Sequence, residues 1–299
     1  MVAIVLNVGM NQMPARRVSS KQPQVEPVPE SFYDFYNLRK HLGSGGYGMV
    51  WVCEDKQRPG RMSAVKIIPE NKCKRKTYCP TRDCFVPDEV ALWMPLSHPL
   101  VLSLNEVFYE TFSNHWYLVT DYEPNFFDLF HYIDVNGPLS SKDSAHIVYQ
   151  VIEACYYLAR EGVDHRDIKD ENVLYNPQTK QIKLIDFGSA SILKTDSYKT
   201  YQGTDVYLPP EYYREKCYDP FPATVWAIGC LSYVLLNGDC PFNTKKEVEE
   251  YKSLAWNADK NKVNQNAVQF VDMCLEADPN RRIELGSVIH HPWIKMLGK

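Results

Sequence analysis

The sequence predicts an α+β fold, arranged as one large domain or as two closely packed lobes. Its first part, up to about residue 124, contains short β-type runs such as Met49 to Cys53 and Ser63 to Ile68. One helix is expected in that part, beginning near Glu89. The second part has helical periodicity, first in a capped apolar stretch from Ser140 that ends at Gly162. The 299 residues, of which 44% are hydrophobic, are sufficient for a large core.

Composition narrows the class of protein. A net charge of -4 gives no reason to expect a nucleic-acid partner. The nine cysteines are scattered without C-x-x-C pairs, which indicates free thiols in a reducing compartment. The spacing of Cys73, Cys79 and Cys84 does not match a zinc module, so a solvated loop is expected there. The apolar run from Trp226 to Leu236 is too short to span a bilayer, and the N-terminus is a poor secretory signal. We expect a soluble protein of the cytoplasm, the nucleus or both, with no membrane partner.

Residues 1–34 are predicted to form a flexible N-terminal tail. They are rich in Pro, Ser, Gln and Glu and show no sustained periodicity. A solvated leader is the simpler interpretation, and a docking or regulatory segment is the alternative.

A glycine-rich stretch follows. Leu42-Gly43-Ser44-Gly45-Gly46-Tyr47-Gly48-Met49-Val50 contains the pattern G-x-G-x-x-G-x-V. Dinucleotide-binding folds share this glycine spacing, but there a helix follows, whereas here the next residues are β-type. The glycines are therefore expected in a hairpin turn. Such a turn lets backbone N–H groups approach the phosphates of ATP. The alternative is a hairpin whose glycines serve only turn geometry.

Lys66 is the next candidate, because a lysine within an apolar strand requires a partner or a ligand. Glu89, at the start of the predicted helix, is the expected partner. Lys66 would then hold the α- and β-phosphates of ATP while Glu89 fixes its position. The alternative is a solvated surface pair worth less than ~1 kcal/mol.

The strongest signal is the octet His165 to Asn172, which reads H-R-D-I-K-D-E-N. Asp186-Phe187-Gly188 begins fourteen residues beyond Asn172. These patterns are typical of the catalytic and metal-binding loops of protein kinases. Each polar residue alone is more often structural. Their joint occurrence in order argues against that alternative.

The chemistry expected of these residues is phosphoryl transfer, with ATP and Mg²⁺ as cofactors. Asp167 would accept the proton of a substrate hydroxyl. Asn172 and Asp186 offer the oxygen ligands that Mg²⁺ prefers. Lys169 would offset charge on the transferring group, and Thr204 would steady both Asp167 and the substrate.

From Tyr36 to Trp293 the chain resembles the eukaryotic protein kinase family and, within it, the Pim serine/threonine kinases. The resemblance rests on Leu42 to Gly48, Val86 to Val90, His165 to Asn172, Leu184 to Ser189, and Gly203 to Glu211. Two departures from most kinases are shared with Pim kinases. Pro209 replaces the alanine of A-P-E, and Thr224-Val225-Trp226 lacks an aspartate.

The resemblance implies a two-lobed fold with ATP in the cleft. A small β-rich N-lobe with one main helix would span 35–123, and a larger, mainly helical C-lobe would span 124–299. Val50 and Ala64 would enclose the adenine, with Thr120 as gatekeeper. The residues expected around the nucleotide are Leu42, Gly43, Ser44, Gly45, Gly46, Tyr47, Gly48, Met49, Val50, Ala64, Lys66, Thr120, Asp121, Glu123 and Asp128.

The resemblance also implies a substrate class. Asp128, Glu171 and Asp239 match positions at which Pim kinases meet basic substrate residues. An Arg/Lys-directed serine/threonine kinase that acts on proteins as a monomer is therefore expected. Lys169 disfavours tyrosine specificity. Beneath the substrate loop, Glu211 is expected to pair with Arg282.

Two regions differ from, or extend, the Pim pattern. The hinge proline stands at Pro124 instead of at Glu123, so Glu123 keeps an N–H for adenine. Arg166 is placed to bind a phosphate on the activation segment, the residues 189–208 between Asp186-Phe187-Gly188 and Pro209, for which the candidate sites are Thr195, Ser197, Tyr198 and Thr200. Pim kinases resemble a design that needs no such phosphate, and Asp196 is then a candidate for the missing charge.

Two other interpretations compete with a Pim-like kinase. One is a pseudokinase that serves as a scaffold, which the presence of Lys66, Asp167, Asn172 and Asp186 disfavours. The other is a different serine/threonine kinase of the calcium/calmodulin group.

Overall fold

The computed structural model describes residues 31–45, 48–73, 75–80, 82–200, 202–251, 254, 256 and 264–296. It has a sheet-based N-terminal part followed by a mainly helical part, as predicted. The N-terminal strands are β1 (Tyr36–Gly45), β2 (Gly48–Asp55), β3 (Met62–Pro69), β4 (Lys76–Cys79), β5 (Cys84–Pro87), β6 (Leu104–Glu110) and β7 (His115–Asp121). Five of them form one antiparallel sheet in the order β1-β2-β3-β7-β6, while β4 and β5 form a separate hairpin. The helices here are α1 (Phe32–Phe35) and α2 (Asp88–Trp93).

The two faces of this sheet have different surroundings because side chains alternate along each strand. In the register of β2, β3 and β7, Val50 lies opposite Lys66, and Ala64 lies opposite Thr120. Directly paired residues share a face, so these four side chains lie on one side. The opposite face carries an apolar cluster of Cys53, Val65, Ile67, Tyr117 and Val119, together with Phe32, Tyr36 and Phe108.

Helix α1 covers that cluster. Ser31 caps it, and Phe32 is fully buried, stacked on Tyr117 with ring centroids 4.6 Å apart. The Glu110 carboxylate accepts hydrogen bonds from the Ser31 hydroxyl (2.7 Å) and the Phe32 N–H (2.6 Å). The folded part therefore includes residues 31–34, so the prediction that the tail extends to residue 34 is wrong for these four residues. Two aromatic residues in a four-residue span were the available signal. Residues 1–30 of the predicted tail lie outside the described residues.

The C-terminal part is organised around two long helices. Its helices are α3 (Leu129–Asn136), α4 (Ser141–Arg160), α5 (Pro210–Glu215), α6 (Pro220–Asn237), α7 (Lys245–Glu249), α8 (Gln265–Cys274), α9 (Leu285–Val288) and α10 (Pro292–Lys295). Ser140 caps α4, and Gly162 with φ of 72° follows its end, which confirms the predicted helix. Helix α6 is long and apolar enough to cross a bilayer, but 72% of it is buried, as in a core helix.

Short strands position the functional loops between these helices. They are β8 (Phe127–Asp128), β9 (Val163–Asp164), β10 (Val173–Tyr175), β11 (Ile182–Leu184) and β12 (Ser191–Ile192). β10 pairs with β8 and β11, and β9 pairs with β12. The ends of the His165 to Asn172 octet are thereby tied to the segments on both sides of Asp186.

Candidate active site

Three charged residues from distant parts of the chain meet at the cleft side of the sheet. Lys66 Nζ on β3 lies 2.5 Å from Glu89 Oε1 on α2 and 2.8 Å from Asp186 Oδ1. The Lys66 side chain is only 14% exposed. The predicted pair of Lys66 and Glu89 is therefore present, and it is a buried pair instead of a solvated surface contact.

Lys66 and Asp186 stabilise each other's charge. Burial by itself lowers the pKa of Lys66, but the carboxylates of Glu89 and Asp186 reverse this and raise it overall. Burial raises the pKa of Asp186, yet the Lys66 ammonium and the N–H of Gly188 bring it below its ordinary value. Lys66 is consequently an ammonium and Asp186 a carboxylate at neutral pH.

Asp167 is held by neighbours on both sides of its carboxylate. Its Oδ1 accepts from the N–H of Thr204 (3.1 Å) and from the Thr204 hydroxyl (3.0 Å). Its Oδ2 accepts from the Asn172 amide at 3.0 Å, and the Asp167 carbonyl accepts from the same amide at 2.8 Å. The carboxylate is therefore oriented, and because Oδ1 already accepts two hydrogen bonds, Oδ2 is the oxygen with a lone pair left for a substrate proton.

Lys169 lies beside this carboxylate. Its Nζ is 3.9 Å from Asp167 Oδ2 and forms an ion pair with Glu171. Burial lowers the pKa of Lys169, but the two carboxylates raise it overall. A positive charge thus stands within 4 Å of the candidate base. That Lys169 offsets charge on the transferring group stays a prediction.

Asn172 and Asp186 offer oxygen ligands that are suitable for Mg²⁺. The Asn172 amide nitrogen faces Asp167, which leaves its carbonyl oxygen as the atom for a metal. The N–H of Ile185 donates to the backbone carbonyl of Asn172 at 2.9 Å, so Asn172 is fastened to the residue that precedes Asp186. A carboxylate and an amide oxygen, with space left to water and phosphate, are the ligands that Mg²⁺ takes.

Phe187 fixes the residues around Asp186. It is fully buried, stacked on Trp93 of α2 (5.3 Å between centroids), and it meets the ring of His165 at 5.1 Å. His165 Nε2 donates to the carbonyl of Ile185 at 3.0 Å, and burial lowers the pKa of His165, so the ring is neutral. Sequence reasoning missed Trp93. It lies four residues after Glu89, one helical turn away on the same face, which was an available signal.

The glycine-rich stretch forms the predicted hairpin. Gly45 pairs with Gly48, Ser44 with Met49, and Gly43 with Val50, while Gly46 and Tyr47 lie outside the described residues. A Cβ atom on Gly48 would lie 2.2 Å from the carbonyl oxygen of Ile67. Only glycine therefore fits at this position on β2, beside the backbone of β3.

Not all of the remaining predicted nucleotide residues face the side of the sheet that carries Lys66. Leu42 is an exposed residue of β1, and Thr120 is buried on β7 beside Ala64. Asp121 ends β7, and its side chain accepts from Asn105 at 2.9 Å, so it faces away from a cleft ligand. The Oε1 of Glu123 lies 3.5 Å from Nζ of Lys183. The backbone carbonyl of Glu123 accepts a hydrogen bond from the N–H of Phe126 at 3.1 Å.

Two of the three predicted substrate-binding acids lie beside the catalytic loop. Asp128 caps α3, accepting from the N–H of His131 at 2.7 Å, and it pairs in the sheet with Leu174, two residues beyond Asn172. Glu171 lies within the loop, and its side chain is 52% exposed. Asp239 is exposed and directly follows the end of α6 at Gly238, which lies against Pro138 beyond α3.

The expected pair beneath the substrate loop is confirmed. Arg282 donates from Nη1 and Nη2 to the two carboxylate oxygens of Glu211, each at 2.8 Å. The Arg282 side chain is 0% exposed and also donates to the carbonyl of Pro222. This bidentate pair anchors the segment after Thr204 to the helical core.

Comparison with known proteins agrees with this geometry. Residues 36–294 match the protein kinase domain family. The chain is 31% identical over 273 residues to the serine/threonine-protein kinase pim-2 of Danio rerio, covering 89% of this chain and 86% of that protein. It is also 31% identical over 277 residues to calcium/calmodulin-dependent protein kinase type 1B of Rattus norvegicus (89% and 76%). Serine/threonine-protein kinase prk-2 of Caenorhabditis elegans is 29% identical over 265 residues (87% and 58%).

Proposed function

The chain belongs to the protein kinase family, and we propose that it is a Pim-like kinase that phosphorylates serine or threonine next to arginine or lysine residues. Its relatives are serine/threonine protein kinases over most of its length, so it uses ATP and acts on proteins. The observation that carries the basic preference is the position of two acids, Asp128 and Glu171, at the edge of the loop that holds Asp167.

The catalytic step follows from the contacts of Asp167. The substrate hydroxyl donates its hydrogen bond to the Asp167 carboxylate, which Thr204 and Asn172 keep in place. As the hydroxyl oxygen bonds to the γ-phosphorus, the proton passes to Asp167 and the bond from the γ-phosphorus to the bridging oxygen of ADP breaks. Lys169, near Asp167, offsets the negative charge of the group in transfer.

The nucleotide is held from the N-terminal lobe. Lys66, fixed by Glu89, binds the α- and β-phosphates, and the hairpin at Gly48 covers them with backbone N–H groups. Asn172 and Asp186 would hold Mg²⁺, which supplies neutralisation of phosphate charge when bound. Asp186 is ionised for this task because of its contact with Lys66.

Peptide recognition is assigned to the acidic residues. A guanidinium or ammonium group upstream of the acceptor hydroxyl would pair with Asp128 and Glu171, and Asp239 would extend this surface. Glu171 already pairs with Lys169, so part of its charge is compensated. Asp128 is therefore expected to contribute more to the selection of a basic residue than Glu171.

The cellular setting is part of the proposal. All nine cysteines are free thiols in the structure, in agreement with a reducing compartment. We place the protein in the cytoplasm, the nucleus or both, acting as a monomer.

The test is phosphorylation of an arrayed library of serine and threonine peptides with radiolabelled ATP. Arg/Lys-rich peptides should be preferred, and the signal should vanish in Asp167→Asn.

Asp128→Asn keeps the helix cap and should raise KM for arginine peptides about tenfold, since the substitution removes one charged hydrogen bond to the peptide. Asp134→Asn, an exposed acid on the outer part of α3, is the matched control. Activity without a basic preference would overturn the specificity, and ATP binding without any transfer would favour a scaffold.

A further inference from the structure

Arg166 adjoins the catalytic aspartate, and its side chain donates hydrogen bonds to the activation segment and to Tyr218. Its Nη2 donates to the Thr200 carbonyl at 2.5 Å, and its Nη1 donates to the Gln202 side chain at 3.5 Å. Nε and Nη2 donate to the Tyr218 hydroxyl at 3.1 and 2.8 Å. Among the described residues, the oxygens that accept hydrogen bonds from this guanidinium are neutral, and Asp196 does not supply one of them. The charge of the guanidinium also attracts the nearby Asp164 carboxylate.

An aromatic ring covers the guanidinium. The carbon of the Arg166 guanidinium lies 4.3 Å from the ring centroid of Tyr198 and 5.9 Å from that of Tyr218. The two rings are 5.5 Å apart. A cation over an aromatic face is attracted by the ring, most strongly where water is excluded. Here Tyr198 is 2% exposed and Tyr218 is 6% exposed.

The two tyrosines are also joined through their backbones. The Tyr198 N–H donates to the Tyr218 carbonyl at 2.8 Å, and the Tyr218 N–H donates to the Tyr198 carbonyl at 3.1 Å. Tyr218 lies in the connection between α5 and α6, so this bridge fastens the activation segment to the helical core. The Tyr198 hydroxyl donates to the carbonyl of Ile192 at 3.2 Å and accepts from Ser191.

The Tyr198 hydroxyl is not a site for phosphate in this arrangement. Burial, together with the nearby Asp164 carboxylate, raises the pKa of Tyr198 to about 12, so the hydroxyl stays neutral. A phosphate on Tyr198 would lie at this buried position beside the Asp164 carboxylate. The Tyr198 ring would then lose its contact with Arg166. A phosphate on Thr200, which is exposed, would have to displace the contacts that already hold the guanidinium.

We propose that Tyr198 and Tyr218 are positioning residues that hold Arg166 and thereby order the activation segment in the unphosphorylated chain. The order of the activation segment affects the reaction because Thr204, four residues after Thr200, orients the Asp167 carboxylate. The segment is thus fixed to the catalytic loop at two adjacent residues, Arg166 and Asp167. This inference rests on the proposed kinase function and adds how its substrate site is kept in place.

The experiment uses the full chain, treated with a phosphatase and shown by intact mass to carry no phosphate. Tyr198→Leu removes the ring, Tyr218→Phe removes the hydroxyl that accepts from Arg166, and a double variant removes both. Tyr198→Phe keeps the ring and serves as the conservative comparison. Thr195→Ala, at an exposed position of the same segment, is the matched control.

Three readouts are measured: kcat and KM for an arginine peptide, the Kd of MgATP, and deuterium exchange of residues 194–204. The phosphate-free wild type should be active. Tyr218→Phe should lower kcat/KM for the peptide about tenfold, with the Kd of MgATP unchanged, because one charged hydrogen-bonding partner is lost. The double variant should lose more and exchange faster in 194–204, whereas Tyr198→Phe and Thr195→Ala should behave as wild type.

Two results would overturn the proposal. One is a wild type that becomes active only after phosphorylation of its activation segment. The other is a double variant that binds MgATP and keeps both the wild-type kcat/KM and the wild-type exchange. If no form of the protein transfers phosphate, the proposed function fails instead. The exchange of 194–204 in the double variant then still decides whether the tyrosines order the segment.

Discussion

The side chain of Thr204 donates a hydrogen bond to Oδ1 of Asp167 at 3.0 Å, and the backbone N–H of Thr204 donates to the same oxygen at 3.1 Å. These two residues are 37 positions apart in the sequence. The contact joins the activation segment to the catalytic loop, so the orientation of the candidate base depends on the position of a different segment.

Substitutions of Thr204 test the contact of its hydroxyl separately from the contact of its backbone N–H. Thr204→Ala should lower kcat about tenfold or more, because a hydrogen bond to a charged group contributes roughly 1.5 to 3 kcal/mol. Thr204→Ser, which restores the hydroxyl, should return most of the rate. Steady-state kinetics at saturating ATP and peptide check this. Equal rates in the Ala and Ser variants would show that the hydroxyl has no role in the reaction.

The hinge offers a test of nucleotide binding. Glu123→Pro removes a backbone N–H and should weaken the binding of MgATP by about 1 kcal/mol, or roughly fivefold in Kd. Glu123→Ala removes the contact with Lys183 but keeps the N–H, so it is the matched control. Titration calorimetry with a non-hydrolysable ATP analogue gives both constants. If the two variants bind equally, Glu123 does not donate to adenine.

The pair of Glu211 and Arg282 should dominate the stability of the substrate-side segment. Glu211→Gln leaves the fully buried Arg282 without its carboxylate and should lower the free energy of unfolding by about 3 to 5 kcal/mol. The double variant Glu211→Gln/Arg282→Met removes the buried charge as well and should regain part of the loss. Urea denaturation monitors both. A double variant no more stable than Glu211→Gln would contradict this account.

Asp164 makes stability depend on pH. Burial raises its pKa from 3.8 to about 6, although the Arg166 guanidinium and the Tyr198 hydroxyl oppose the rise. The folded state therefore holds this proton more tightly than the unfolded state. The resulting stabilisation is complete below about pH 4 and is lost as the pH rises through 6.

The expected measurement is a difference between two proteins. Between pH 5 and pH 7.5 the unfolding free energy of the wild type should fall by about 1 kcal/mol relative to Asp164→Asn, which lacks this titration. Chemical denaturation at the two pH values gives both quantities. A difference that does not change with pH would mean that Asp164 has an ordinary pKa in the folded protein.

Much of the fold and the order of the site residues could be predicted from the sequence. Local patterns determined the glycine hairpin, the capped helix α4 and the octet that contains Asp167 and Asn172, since each depends on residues close together in the chain. The pairs of Lys66 with Glu89 and of Glu211 with Arg282 were also expected. Those expectations drew on the order of known motifs along the chain.

Only the tertiary structure decided what surrounds those residues. The packing of Phe187 between Trp93 and His165 and the enclosure of Arg166 by Tyr198 and Tyr218 join residues far apart in sequence. Nothing in the local pattern near Arg166 distinguishes a tyrosine partner from a phosphate, because the guanidinium binds both. Which partner it meets depends on how the activation segment and the connection between α5 and α6 pack, and therefore on burial and backbone pairing across the fold.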